Sequence, residues 1–127
     1  MYKIYCDGAS RSNPGEASIG ISIQNDEQEV KTISKKIGVA TNNVAEYEGL
    51  KTALDYCFKN NLKDVKIYLD SLLVVQQVNG NFKVKSKNLK DLYSQCADLI
   101  EKIENIEIYH VPREQNKRAD ELANIAL

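Results

Sequence analysis

The chain has 127 residues, of which 43% are hydrophobic and 28% charged, and its formal net charge is −1. This length suits one domain, residues 1–127, with a buried core, and no low-complexity run or internal repeat interrupts the globular composition. The near-neutral charge does not by itself indicate a nucleic-acid partner.

Three further features concern membranes and redox state. The longest apolar run, "LLVV" at residues 72–75, is too short to span a bilayer, and "MYKIYCDG" lacks the apolar core of a signal peptide. Cys6, Cys57 and Cys96 are widely spaced and form no CxxC pair. We therefore expect reduced thiols, neither a disulfide framework nor a zinc site, and a cytoplasmic protein without a membrane segment.

The first forty residues predict three strands connected as a meander. Apolar and polar residues alternate with the period of a strand, and an Asn-Pro-Gly turn and an "NDEQ" turn separate the runs. The predicted strands are residues 2–7, 17–24 and 29–37. The third is the least regular, which predicts a β-bulge.

The rest of the chain alternates between helix and strand. The predicted helices are residues 43–60, 71–80, 88–103 and 116–127, and the predicted strands between them are residues 65–70 and 106–111. This order predicts an α/β domain with a mixed five-stranded sheet flanked by helices. A right-handed crossover through the first helix would make strands one and four parallel neighbours, with their carboxyl ends side by side.

One acid occupies an apolar helix face. Glu46 lies four residues before Leu50 and seven before Ala53, on the stripe that continues to Cys57. A capping box with Asn43 as the N-cap would explain it structurally. A role in binding a ligand at the sheet is the alternative.

Three other acids also have a local explanation when taken one at a time. Asp7 closes the first predicted strand and could be a turn residue, and Asp70 closes the fourth and could be an N-cap. Asp120 lies in the first turns of the last helix, where acids favour the macrodipole.

Together, the four acids predict a metal site. In the expected topology they gather at one edge of the sheet, where open α/β sheets bind ligands. Carboxylates that close together cannot all remain ionised without a cation. Because no Cys or His accompanies them at ligand spacing, the donor set favours Mg²⁺, with Mn²⁺ as a substitute, over zinc. Two such ions can bind both the attacking and the leaving oxygen of a phosphodiester.

Four segments resemble, in order, the signature blocks of type 1 ribonuclease H, especially its compact archaeal and bacterial members. The segments are "YCDGASRSNPG", "TNNVAEYEGL", "LDSLLVVQQVNG" and "VPREQNKRADELA". The resemblance implies the strand order 3-2-1-4-5 with strand 2 antiparallel. It also implies two-metal hydrolysis of the RNA strand of RNA–DNA hybrids, giving 5′-phosphate and 3′-hydroxyl ends. The family's catalytic and metal-binding carboxylates fall on Asp7, Glu46, Asp70 and Asp120.

The resemblance also suggests substrate contacts. The first turn would face the 2′-hydroxyls of the RNA, the paired asparagines would touch the hybrid, and the start of the last helix would lie near the scissile phosphate. Helix capping remains an alternative for Asn43 and Ser71. The expected substrate-binding residues are Gly8, Ser10, Asn13, Gly15, Asn42, Asn43, Ser71, Phe82, Lys83, Lys85, Asn116 and Arg118.

The chain departs from the family pattern in three places. The loop before the last helix has no histidine, so Arg113 or Glu114 is the candidate for a role there, and the single histidine, His110, ends the fifth strand. No basic helix is inserted after Gly80; Phe82 and the lysines of "NFKVKSKNLK" are left to bind the DNA backbone. Leu72 stands where some relatives have a polar contact to RNA.

We therefore expect a monomer that binds RNA–DNA hybrids, with double-stranded RNA as a further possible substrate. A non-catalytic or weakly catalytic module that binds hybrid or double-stranded RNA is the first alternative. A related nuclease of the same fold, such as a resolvase or a 3′–5′ exonuclease, is the second.

Overall fold

The computed structural model describes residues 1–127 and contains the predicted strands and helices, together with a 3₁₀ helix at Arg113–Gln115. The strands are β1 (Tyr2–Ser10), β2 (Gly15–Asn25), β3 (Gln28–Ala40), β4 (Val65–Leu69) and β5 (Ile106–His110). The helices are α1 (Asn42–Lys59), α2 (Leu72–Val78), α3 (Lys87–Lys102) and α4 (Lys117–Ala126).

The five strands form one mixed sheet in the order β3-β2-β1-β4-β5. β2 is antiparallel to both β1 and β3, whereas β4 is parallel to β1 and β5. The predicted α/β architecture and strand order are confirmed. The bulge is present as register shifts in the β2–β3 ladder at Ala17/Ser18 and Ile23/Gln24.

One face of the sheet carries the main core. Ile4 and Ile67, on neighbouring strands, are fully buried with Leu50 of α1. The predicted stripe of α1 is confirmed, because Ala53 and Cys57 belong to the same core. This packing holds α1 firmly against the strand that carries Asp7.

Helix α4 covers the opposite face of the sheet at β1, β2 and β3. The approach is so close that a Cβ at Gly20 would lie 2.2 Å from the carbonyl oxygen of Ala119. The Ser34 hydroxyl on β3 donates to the carbonyl oxygen of Leu122 at 2.5 Å. These contacts fix the start of α4, and with it Asp120, beside β1.

One local prediction was wrong, and one structural alternative is excluded. Asp7 does not close its strand, because β1 continues to Ser10 in its pairing with β2 after its pairing with β4 has ended at Tyr5. The N-cap of α1 is Thr41, not Asn43, and its hydroxyl accepts the amide N–H of Val44 at 3.2 Å.

The thiols of Cys6, Cys57 and Cys96 are all free and buried. Among the helices, none combines the length and apolarity that crossing a bilayer requires.

Candidate active site

Three carboxylates converge where β4 ends beside β1. Asp7 lies on β1, Asp70 directly follows β4, and Glu46 is the fifth residue of α1. One oxygen from each lies within 4.8 Å of the other two. Asp7 and Glu46 are buried and Asp70 is half-buried. The cluster is therefore partly shielded from solvent.

The position of Glu46 depends on Gly8. A Cβ at Gly8 would lie 2.2 Å from the backbone carbonyl carbon of Ala45, so only glycine allows α1 to approach β1 this closely. At that distance the Gly8 amide N–H donates to Oε1 of Glu46 at 2.9 Å. Glu46 is therefore held by β1 and is not part of a capping box at its own helix terminus.

The second oxygen of Glu46 has no protein partner. Oε2 is buried and accepts no hydrogen bond, a costly arrangement for a carboxylate in a folded protein. It lies in a group whose donors are all carboxylate oxygens, the ligands that Mg²⁺ and Mn²⁺ prefer. A divalent cation fits this donor set and would satisfy the unpaired oxygen.

The electrostatics of the cluster also favour a cation. Burial, followed by the neighbouring charges of Asp70 and Asp120, raises the pKa of Asp7 from its ordinary value of 3.8 to about 6. Burial and the adjacent Asp7 raise the pKa of Glu46 well above its ordinary value. Without a cation, the fold therefore resists full ionisation of the cluster.

Asn116 holds Asp70 in place. Its side chain is 1% exposed. Nδ2 donates to the Cys6 carbonyl oxygen at 3.0 Å and to Oδ2 of Asp70 at 3.2 Å. One amide thereby ties the segment after β4 to β1, at the residue before Asp7. The N-cap of α2 is Ser71, whose hydroxyl accepts the amide N–H of Val74, so Asp70 does not cap this helix and that structural alternative is excluded.

The fourth acid completes the wall of a cavity of about 720 Å³. Asp120 lies outside the tight cluster but close enough to raise the pKa of Asp7. Asn124, one turn further along α4, donates to its Oδ1 at 3.2 Å. The cavity is lined by Asp7, Gly8, Ala9, Ser10, Arg11, Asn42, Glu46, Asp70, Ser71, Arg113, Asp120, Asn124 and Leu127.

Several of the expected substrate-binding residues lie outside this cavity. Asn13 supports Asn42 of the cavity wall, because its Oδ1 accepts the amide N–H of Asn42 at 3.0 Å. Gly15 permits the turn, since a Cβ there would lie 2.4 Å from the hydroxyl of Ser12. The expected residues that do not line the cavity are Asn13, Gly15, Asn43, Phe82, Lys83, Lys85, Asn116 and Arg118.

Two of these residues have other partners in the structure. Arg118 binds Glu29 of β3 through two nitrogens, at 2.8 and 2.9 Å, and also pairs with Glu121. Asn116 is buried against Asp70. In the structure, Arg118 forms an ion pair with β3 and Asn116 supports Asp70. Their expected role in substrate binding stays a prediction.

The loop before α4 contains two candidates for a role at the site, Arg113 and Glu114, and one of them lines the cavity. Arg113 lines the cavity, whereas Glu114 does not. His110 is exposed at the end of β5 and also lies outside the cavity.

Sequence reasoning missed two polar residues of the cavity wall. Arg11 lies among the expected RNA-facing residues of the first turn, and its guanidinium donates to the backbone oxygen of Leu127 at 2.6 Å. Asn124 lies four residues after Asp120, which places both on one helix face. That spacing was a usable signal for Asn124, whereas the orientation of Arg11 depends on the turn.

Comparisons with known proteins agree with this geometry. Residues 5–126 match the family described as "Reverse transcriptase-like". The crystal structure of RNase H1 from Halobacterium salinarum superposes with a TM-score of 0.94, at 37% identity over 98% of this chain and 96% of that one. The chain belongs to the type 1 ribonuclease H family.

Two further relatives illustrate the range of this ribonuclease H family. LC11-RNase H1, solved in complex with an RNA/DNA hybrid, has 40% identity and a TM-score of 0.92, over 99% of this chain and 96% of that one. The bifunctional protein Rv2228c of Mycobacterium tuberculosis is 44% identical over 98% of this chain and 35% of its own length. The chain thus spans about a third of that mycobacterial protein.

Proposed function

We propose that the chain is an endoribonuclease that hydrolyses the RNA strand of RNA–DNA hybrids and leaves 5′-phosphate and 3′-hydroxyl ends. The observation that carries the proposal is the cluster of Asp7, Glu46 and Asp70 with its unpaired buried oxygen, facing an open polar cavity. The structure of the similar LC11-RNase H1 with an RNA/DNA hybrid supports the choice of substrate.

The carboxylates would hold Mg²⁺, or Mn²⁺ in its place. Asp7, Glu46 and Asp70 form the tight donor set, and Asp120, on the wall of the same cavity, would be the candidate ligand for a second ion. Bound ions of this kind supply an activated water and neutralise charge on a phosphodiester. The donor set contains no histidine or cysteine, in accord with these metals.

The remaining residues orient these ligands and the substrate. The Gly8 amide N–H donates to one oxygen of Glu46, and the Asn116 side-chain amide donates to one oxygen of Asp70. The other oxygen of each carboxylate would be available to a cation. Arg11 and Arg113 line the same cavity, where guanidinium groups suit the phosphates of the RNA strand. Ser10 and Asn42 offer groups for contacts with 2′-hydroxyls.

A substrate panel tests the proposal. End-labelled RNA–DNA hybrid, double-stranded RNA and duplex DNA are each incubated with the protein in Mg²⁺ and in Mn²⁺. We expect internal cuts in the RNA of the hybrid, with ends that a phosphate-dependent 5′-exonuclease accepts and a polymerase extends. Hybrid binding without cleavage in either metal would favour the non-catalytic module, and cleavage of duplex DNA would favour a related nuclease.

A further inference from the structure

A buried glutamine connects the helix that carries Glu46 to the loop that carries the lysines. Gln77, near the end of α2, is 4% exposed, and Tyr47 of α1 is fully buried beside it. The Tyr47 hydroxyl donates to Oε1 of Gln77 at 2.6 Å. Nε2 of Gln77 donates to the backbone carbonyl oxygen of Lys83 at 3.2 Å.

The direction of these two bonds is determined by chemistry. The Lys83 carbonyl oxygen can only accept a hydrogen bond, so the Gln77 amide must point its nitrogen toward the loop. Its oxygen then faces Tyr47, whose hydroxyl can donate. Both ends of the Gln77 amide are therefore used.

The Lys83 bond holds a specific part of the chain. Residues 79–86, here called the basic loop, connect α2 to α3 and contain no regular secondary structure beyond a turn. The amides of Asn81 and Phe82 bond back to the Gln76 carbonyl oxygen and anchor the first half of the loop. Gln77 provides the bond at Lys83, just before the exposed Lys85.

We propose that Gln77 is a positioning residue for the nucleic acid, and that its bond to Lys83 holds the basic loop where its lysines meet the DNA strand of the hybrid. This inference rests on the proposed function. The Tyr47–Gln77–Lys83 connection makes the loop rigid relative to α1, so that metal ligands and backbone-binding lysines keep a fixed separation. Gln77 itself does not line the cavity.

The central test is Gln77→Met, which keeps the length and apolar packing of the side chain but removes both hydrogen bonds. We expect KM for the hybrid to rise about three- to tenfold with kcat within about twofold, since the lost bond affects binding of the substrate strand. The dependence of binding on salt should also weaken, as looser lysines make fewer phosphate contacts. Gln95→Met, at an exposed position of α3, is the matched control and should leave both constants unchanged.

A double-mutant cycle separates positioning from a general structural effect. In a background of Lys83→Gln with Lys85→Gln, Gln77→Met should add little further rise in KM, because the contacts through which it acts are already gone. An equal rise in both backgrounds would overturn the inference. Tyr47→Phe preserves the core and frees the other end of the amide, so a smaller rise in KM, about twofold, is expected.

The outcomes distinguish this inference from the proposed function. If the wild-type protein cuts the hybrid while both Gln77→Met and Tyr47→Phe keep the wild-type KM, Gln77 has no positioning role. A fall in kcat at unchanged KM would also contradict it. If the wild-type protein neither binds nor cuts the hybrid, the proposed function fails first.

Discussion

The proposed catalytic edge, which comprises Asp7, Glu46, Asp70 and Asp120 and is here called the catalytic edge, and the basic loop are built in opposite ways. At the catalytic edge, Asp7 and Glu46 are buried, and backbone or amide groups fix the orientation of Glu46 and Asp70. In the basic loop the side chains of Lys83 and Lys85 are exposed, and the loop conformation depends on a few bonds to α2.

This difference suggests separate roles for the two regions, one in the chemical step and the other in substrate binding. A group that is rigid, buried and short of a counter-charge serves a chemical step, which requires preorganisation. Exposed lysines on a loop contribute salt-dependent affinity for a phosphate backbone. Changes at the catalytic edge should therefore act on kcat, and changes in the basic loop on KM.

The largest effect is expected at Glu46. Glu46→Gln keeps an acceptor for the Gly8 amide N–H but removes the charge that a cation requires. We expect kcat to fall at least about a thousandfold. The free energy of unfolding without metal should rise by about 1–2 kcal/mol, because a buried like charge is removed.

Glu48→Gln is the matched control for that prediction. It makes the same change two residues along α1, outside the cavity. Rates and denaturant curves should match the wild type. Loss of activity in Glu46→Gln accompanied by a loss of stability would point to a structural role for Glu46.

A smaller effect is expected at Asn116, which acts through Asp70. Asn116→Ala removes two buried hydrogen bonds, and we expect kcat to fall about ten- to a hundredfold. The concentration of Mg²⁺ needed for half-maximal rate should rise, because Asp70 loses its orientation. Asn60→Ala, at the exposed end of α1, is the control. An unchanged Mg²⁺ requirement would show that Asn116 does not position a ligand.

The stability of the metal-free protein should depend on pH in a defined direction. The pKa of Asp7 is raised from 3.8 to about 6 in the fold, so the folded state binds more protons than the unfolded state between these values. The free energy of unfolding should therefore fall as pH rises from about 4 to about 6, by on the order of 2 kcal/mol. Mg²⁺ should reverse this decline, because it binds the ionised carboxylates.

Urea unfolding across that pH window, with a chelator and with Mg²⁺, measures the effect. Asp7→Asn removes the titrating group and should flatten the metal-free profile. A wild-type profile that rises through the window would contradict the assignment of a raised pKa.

The smallest effect is expected in the basic loop. Lys85→Gln should raise KM about two- to fivefold at unchanged kcat and lower the salt slope of binding by about one. Lys35→Gln, on the exposed strand β3, removes the same charge elsewhere and is the control. Equal effects of the two substitutions would mean that only net charge matters.

Much of this architecture could be predicted from local patterns. Alternation in residues 2–7 and 65–70 indicated the strands, and the stripe from Leu50 to Cys57 placed Glu46 on the buried face of its helix. Those signals depend on neighbouring residues and on the period of each element. The strand order followed from them together with the family resemblance.

The remaining features depend on contacts that are distant in sequence. Arg118 and Glu29 are 89 positions apart, so no local pattern predicts their ion pair. Thr41 and Asn43 are both good N-cap residues, so the sequence does not show which of them caps α1. That Glu46 accepts a hydrogen bond from Gly8 and takes no part in a capping box becomes visible only where β1 approaches α1. The burial of Asn116 likewise depends on where α4 begins beside β1.

The most direct test of the catalytic centre is Asp70→Asn, compared with the wild type for cleavage and for binding of an end-labelled RNA–DNA hybrid in Mg²⁺. We expect the variant to fold and to bind the hybrid with an affinity close to that of the wild type, but to make no internal cuts in the RNA. Full turnover by Asp70→Asn in Mg²⁺ would contradict the assignment of this carboxylate cluster as the catalytic metal site.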